Sequence, residues 1–170
     1  MSDFLARWNE LSAEEAAREI LPCGGSNAWA TAMASKRPME NEGALLDASD
    51  AIWRSLCEAD WLEAFQSHPR IGESRTEIPI TAQSSAWSEQ EQHKAAAADD
   101  AVKTALKWGN REYEQKFGRI FIVCATGKSA TEILEILRHR LHNDDATELR
   151  LAAEEQRLIM HIRLRKWIEA

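Results

Sequence analysis

Only seven glycines and four prolines interrupt this 170-residue chain, whose background is rich in alanine and leucine. Both residues break helices, so their scarcity leaves long stretches free to stay helical. The one run without helical period is Arg119-Ile-Phe-Ile-Val-Cys-Ala-Thr126. It has no second β-rich run to pair with and is expected to be a buried connector. The pattern predicts an all-α protein, a single-domain multi-helix bundle over 1–170, long enough to bury a substantial core.

The formal charge of −7 arises from 28 acidic and 21 basic residues with interleaved signs, which leaves no basic footprint for nucleic acid. Three widely spaced cysteines, Cys23, Cys57 and Cys124, supply neither a disulfide framework nor a metal-ligand cluster, and they favour a reducing compartment. No apolar run reaches signal-peptide or membrane-spanning length. The expectation is a soluble, cytoplasmic protein.

Local signals divide the chain. Ser12-Ala-Glu-Glu15 reads as a capping box opening a helix that ends before Pro22, and Ser26 is placed to cap Asn27 to Lys36. Asn41-Glu-Gly43 is expected as loop, followed by a helix or helix pair over 44–57 with Ser49 as a cap. Trp53, Leu56, Trp61, Leu62 and Phe65 suit two short amphipathic helices meeting near Ala59-Asp60. Residues 74–86 read as loop, Ser88 to about Tyr113 as one long helix with a break near Gly109, and Phe117-Gly118 as its end. Ser129-x-x-Glu132 caps a helix to about His142, and Asn143-Asp-Asp145 opens a last helix towards Trp167.

Several residues carry candidate chemistry. In Ser67-His-Pro-Arg-Ile-Gly-Glu73, Pro69 biases His68 towards extended backbone and Gly72 lets the chain turn away. A histidine at a helix end stabilises the macrodipole, the commoner role, or serves as an acid/base group near neutrality. Ser88-Glu-Gln-Glu91-Gln92 reads first as a capping box, whose free N–H groups also suit an anion. Arg163 falls in phase with Leu149, Ala152, Ile159 and Trp167, so its guanidinium is expected to be buried against an internal carboxylate or a ligand. Gly127-Lys-Ser129 lacks the earlier glycine of a phosphate loop, and His139 with His142 lacks a third metal ligand.

Taken together, Trp61-Leu-Glu-Ala-Phe65, His68-Pro-Arg-Ile-Gly72, Ser88-x-x-Glu91-Gln92, Tyr113-x-x-x-Phe117-Gly118-x-x-Phe121 and Ile162-Arg-Leu164 form an ordered set spanning nearly the whole chain. In that order it resembles the 2-oxo-4-hydroxy-4-carboxy-5-ureidoimidazoline (OHCU) decarboxylases, which complete the conversion of urate to (S)-allantoin. The resemblance implies a cofactor-free, metal-free, homodimeric helical enzyme. It assigns catalysis to His68 and Glu91, and substrate binding to Pro69, Ser88, Gln92, Phe121, Ile122, Val123, Cys124, Ala125 and Arg163. It also suggests that backbone N–H groups within 121–125 bind a ring carbonyl. The 23-residue step from His68 to Glu91 is longer than in the animal branch. No transthyretin-like hydrolase domain, to which some relatives are fused, is present, so a single reaction step is expected. Two other functions compete: a non-catalytic ligand-binding or interaction domain, which has no reason to keep His68 with Glu91, and a metal hydrolase using His68, Glu73 and His93.

Overall fold

The computed structural model describes residues 3–72, 82–93 and 99–170. Among these it contains nine helices and no strand: α1 (Asp3–Glu10), α2 (Ala13–Gly24), α3 (Asn27–Ser35), α4 (Glu42–Ser55), α5 (Glu58–Gln66), α6 (Ala82–Glu91), α7 (Asp100–Phe117), α8 (Ala130–Arg140) and α9 (Asp145–Ile168). The all-α expectation holds. Two compact units are formed, one by Met1–Ala64 with Arg157–Ala170 and one by Phe65–Gln156.

The first unit is built around tryptophan. Trp8, Trp29 and Trp53 are buried, and each of three indole N–H groups finds an acceptor. Trp8 donates to the Ala16 carbonyl (3.0 Å), Trp29 to the Ser49 hydroxyl (3.2 Å) and Trp61 to the Trp53 carbonyl (3.0 Å). Trp167 meets Phe4 and Trp8 edge-on at 4.7 and 5.3 Å. Gly24 makes the α2–α3 contact possible, because a Cβ there would stand 2.5 Å from the Trp29 ring.

Four local expectations fail in this unit. Helix α2 runs through Pro22 to Gly24, since the proline forfeits one hydrogen bond while burial of Ile20 and Cys23 sustains the last turn. Asn41 is a cap rather than loop, its side chain accepting from the Ala44 N–H at 2.9 Å. Ser49 lies inside α4, buried, as the acceptor for Trp29. The α4–α5 break falls at Leu56-Cys57, where Asp60 accepts from the Cys57 N–H (3.3 Å) and thiol (3.1 Å) instead of forming the turn itself.

In the second unit, α7 and α8 pack over a core that includes Leu106, Tyr113, Phe117, Phe121, Val123, Ile133 and Leu137. Gly109 does not interrupt α7. A Cβ there would meet Leu137 at 2.6 Å, so the glycine serves close helix packing. Gly118, at φ 66°, ends α7 as expected, and both halves of the Ser129–Glu132 capping box are formed. The stretch after Gly118 has no regular structure, and Phe121 to Ala125 are all buried, as a connector should be.

Candidate active site

His68 follows the last turn of α5, its backbone N–H reaching back to the Phe65 carbonyl at 3.2 Å. It is 8% exposed, and Pro69 beside it is buried. The turn carrying it is tied down at three points. Arg70 grips Glu114 of α7 with two parallel bonds of 2.5 and 2.9 Å, a planar fork on a carboxylate. Asn110, also on α7, donates to the Ile71 carbonyl at 3.0 Å. Gly72, at φ 85°, turns the chain so that its N–H meets the Gln92 side-chain oxygen at 3.0 Å.

That last bond brings in α6. Ser84, Trp87, Ser88 and Glu91, at helical spacing, are all buried, and Gln92 follows them directly. The capping-box expectation for Ser88-x-x-Glu91 is therefore wrong. Both residues sit in the C-terminal half of α6, and the Ser88 carbonyl accepts the Gln92 N–H at 3.1 Å. No free helix N-terminus stands at Ser88, and the part of 74–86 from Ala82 onward is helix rather than loop. The remainder of that loop, with Glu73, lies outside the described residues.

The third stretch is the connector. Glu91 lies close enough to Cys124 for its charge to push the thiol pKa up, after burial and together with Glu155, against the opposing pull of Lys128. The segment is held from both sides of its backbone. Glu155 of α9 accepts the Cys124 N–H at 2.5 Å, and Lys128 donates to the Cys124 carbonyl at 2.7 Å. Arg140 donates to the Ile122 carbonyl at 2.6 Å and lies over the Phe121 ring at 4.7 Å. Arg140 is itself paired with Glu148, which is wholly buried and also accepts from Tyr113 (2.6 Å) and Asn143 (3.0 Å).

Most residues expected from the sequence thus fall on three neighbouring stretches of one unit: His68 and Pro69, then Ser88, Glu91 and Gln92, then Phe121 to Ala125. One expectation changes, because the Cys124 N–H is already taken by Glu155 and is not open to a ring carbonyl. Arg163 belongs to the first unit, 1% exposed, with Nη1 3.5 Å from the Pro22 carbonyl and close enough to Cys23 to oppose the upward pull of burial on that thiol. Lys128 serves the connector, and His139 and His142 are exposed. Among the described residues no group of three or more His, Cys, Asp or Glu is placed to hold a metal ion. Arg70, Asn110, Glu114, Arg140, Glu148 and Glu155 were not anticipated.

Known proteins share this arrangement of helices. Residues 9–165 match the family model described as OHCU decarboxylase. A 2-oxo-4-hydroxy-4-carboxy-5-ureidoimidazoline decarboxylase of Amia calva is 30% identical over 82% of this chain and 79% of its own length. The uric acid degradation bifunctional protein TTL of Arabidopsis thaliana is 35% identical over 85% of the chain, which spans only 44% of that longer protein. A crystal structure of OHCU decarboxylase in the presence of (S)-allantoin superposes with a TM-score of 0.78 at 32% identity, over 89% of this chain and 98% of the other. By sequence and by fold, this chain belongs to the OHCU decarboxylase family.

Proposed function

We propose that the protein catalyses the cofactor-free decarboxylation of OHCU to (S)-allantoin, with His68 and Glu91 as the catalytic pair. The observation that carries this reading is the convergence of a rigidly tied His68 turn, bonded through Gly72 to Gln92, with Glu91 and the buried Cys124 segment. A histidine followed by a turn in which Arg70, Ile71 and Gly72 are each bonded to a separate side chain, Glu114, Asn110 and Gln92, suits a reaction that depends on positioning.

The substrate explains the modest demand on the protein. The carbon that loses CO2 carries a hydroxyl group and adjoins a C=N bond, so the electron pair of the broken C–C bond becomes a C=C bond while the C=N pair moves onto nitrogen, which takes up a proton, and an enol is left. The hydroxyl proton then departs as its carbon becomes a carbonyl. A proton is added to the neighbouring ureido-bearing carbon, and delivery to one face fixes the S configuration. In this scheme His68 polarises or deprotonates the hydroxyl, and Glu91 orients His68 or carries the proton onward. Pro69, Ser88, Gln92 and the surface from Phe121 through Ile122, Val123 and Cys124 to Ala125 bind the substrate. Arg163, by the same family resemblance, holds ureido or ring oxygens with its planar fork. We further take the enzyme to be a homodimer, as the resemblance implies, and cytoplasmic, in keeping with the reducing compartment that its three widely spaced cysteines favour.

The direct test follows the ultraviolet absorbance of freshly made OHCU with increasing protein. Decay that accelerates in proportion to protein supports the proposal, and decay at the spontaneous rate overturns it.

A further inference from the structure

We propose that Glu155 is a positioning residue for this reaction, clamping the substrate-binding connector in shape through the Cys124 N–H. The inference rests on the decarboxylase reading above. A connector without regular structure has no ladder or helix to satisfy its peptide groups, so each buried N–H and C=O needs a partner from elsewhere. At Cys124 the two partners are charged and of opposite sign. The carboxylate of Glu155 accepts the N–H at 2.5 Å, and the ammonium of Lys128 donates to the carbonyl at 2.7 Å.

Charge-assisted bonds are shorter and stronger than neutral ones, and here they hold the two successive peptide planes, Val123–Cys124 and Cys124–Ala125, that meet at the Cys124 Cα. Cys124 is the residue whose thiol feels both Glu91 and Glu155. The carboxylate that sets the connector and the carboxylate assigned to proton transfer therefore both raise the pKa of the same thiol. Glu155 is half-buried on α9, reaches 31 residues back along the chain, and has no part in the chemical steps assigned to His68 and Glu91. Its role is to present the connector to the substrate in one geometry rather than several. Lys128 brings the opposite charge to the same residue, and its pull on the Cys124 thiol opposes that of Glu155.

The experiment is steady-state kinetics on OHCU with Glu155→Ala, Glu155→Gln and Lys128→Met, alongside calorimetric titration with (S)-allantoin. A clamp that acts on binding should raise KM about tenfold in Glu155→Ala, on the scale of a lost hydrogen bond to a charged group, with kcat within about threefold. Glutamine still offers an oxygen to the Cys124 N–H, so Glu155→Gln should restore KM to within about threefold of wild type. Affinity for (S)-allantoin should follow KM. Wild-type KM in Glu155→Ala, with or without a lower melting temperature, overturns the inference, as does a glutamine variant as impaired as the alanine one. If Glu155→Ala does not fold, Lys128→Met decides: a raised KM supports the clamp and an unchanged KM overturns it. An inactive wild-type protein would instead overturn the decarboxylase reading itself, which keeps the two failures apart.

Discussion

Replacing Glu148 by alanine should be the most damaging single change in the second unit. Its side chain is 0% exposed and accepts four hydrogen bonds, two from Arg140, one from Tyr113 and one from Asn143. Glu148→Ala would leave the Arg140 guanidinium, itself 5% exposed, as a buried charge without its counterion. Breaking a buried pair in this way costs about 3–5 kcal/mol. In a chain of this size each kcal/mol lowers Tm by about 2–4 °C, so a loss of roughly 6–20 °C is expected. Glu148→Gln keeps an acceptor for Tyr113 but turns an amide N–H towards Asn143, and should fall between. The double variant Arg140→Met with Glu148→Ala removes both charges, though it strands the Tyr113 hydroxyl and the Ile122 carbonyl at about 1–3 kcal/mol each. It should still be more stable than Glu148→Ala plus Arg140→Met taken additively, with a coupling of at least about 1.5 kcal/mol. Urea and thermal melts by circular dichroism measure all four proteins. A Glu148→Ala protein within 1 kcal/mol of wild type, or a coupling near zero, would refute the view that this ion pair anchors the connector.

Other outcomes follow from the same geometry. His68→Asn should lower kcat by about 10²- to 10⁴-fold with Tm unchanged, the usual scale for a lost acid or base, and wild-type turnover would return His68 to a purely structural role. Glu91→Gln should melt like wild type while kcat falls, because Glu91 is not a helix cap and its amide cannot exchange a proton near neutrality; undiminished kcat would remove it from the mechanism. Arg163→Lys should raise KM despite preserving charge, and unfolding without a kinetic effect would make Arg163 structural. Burial pushes the Cys23 thiol up. Above the ordinary thiol value of about 8.5 the unfolded chain therefore loses a proton that the native protein keeps, and stability falls as pH rises, by up to about 1.4 kcal/mol per unit. Cys23→Ala should flatten that slope by one proton between pH 8.5 and 10 in urea melts, and an identical slope would contradict the assignment.

The features legible in the sequence are those written locally. The capping boxes at Ser12 and Ser129 and the helix end at Phe117-Gly118 depend on residues within one turn, and each forms as read. The same Ser-x-x-Glu pattern at Ser88 misleads, because spacing does not say at which end of a helix it falls. There, burial of Ser84, Trp87, Ser88 and Glu91 decides. Glycine and proline mislead for a related reason. Gly109 and Pro22 look like breaks, but close packing on Leu137 and burial around Cys23 outweigh their local preference. The supports of the site were less legible, since Glu114 stands 44 residues from Arg70 and Glu155 31 from Cys124. Glu148 did leave a trace. It lies four residues before Ala152 and eight before Gln156, in phase with the buried face of α9, where a carboxylate needs a partner.

The stereochemistry of the product tests the central claim most directly. Freshly made OHCU should be consumed with the protein present in catalytic amount, and the allantoin formed should be followed by its circular dichroism. A signal of (S)-allantoin alone, lost in His68→Asn, is the predicted result. Racemic allantoin formed at the spontaneous rate would contradict it.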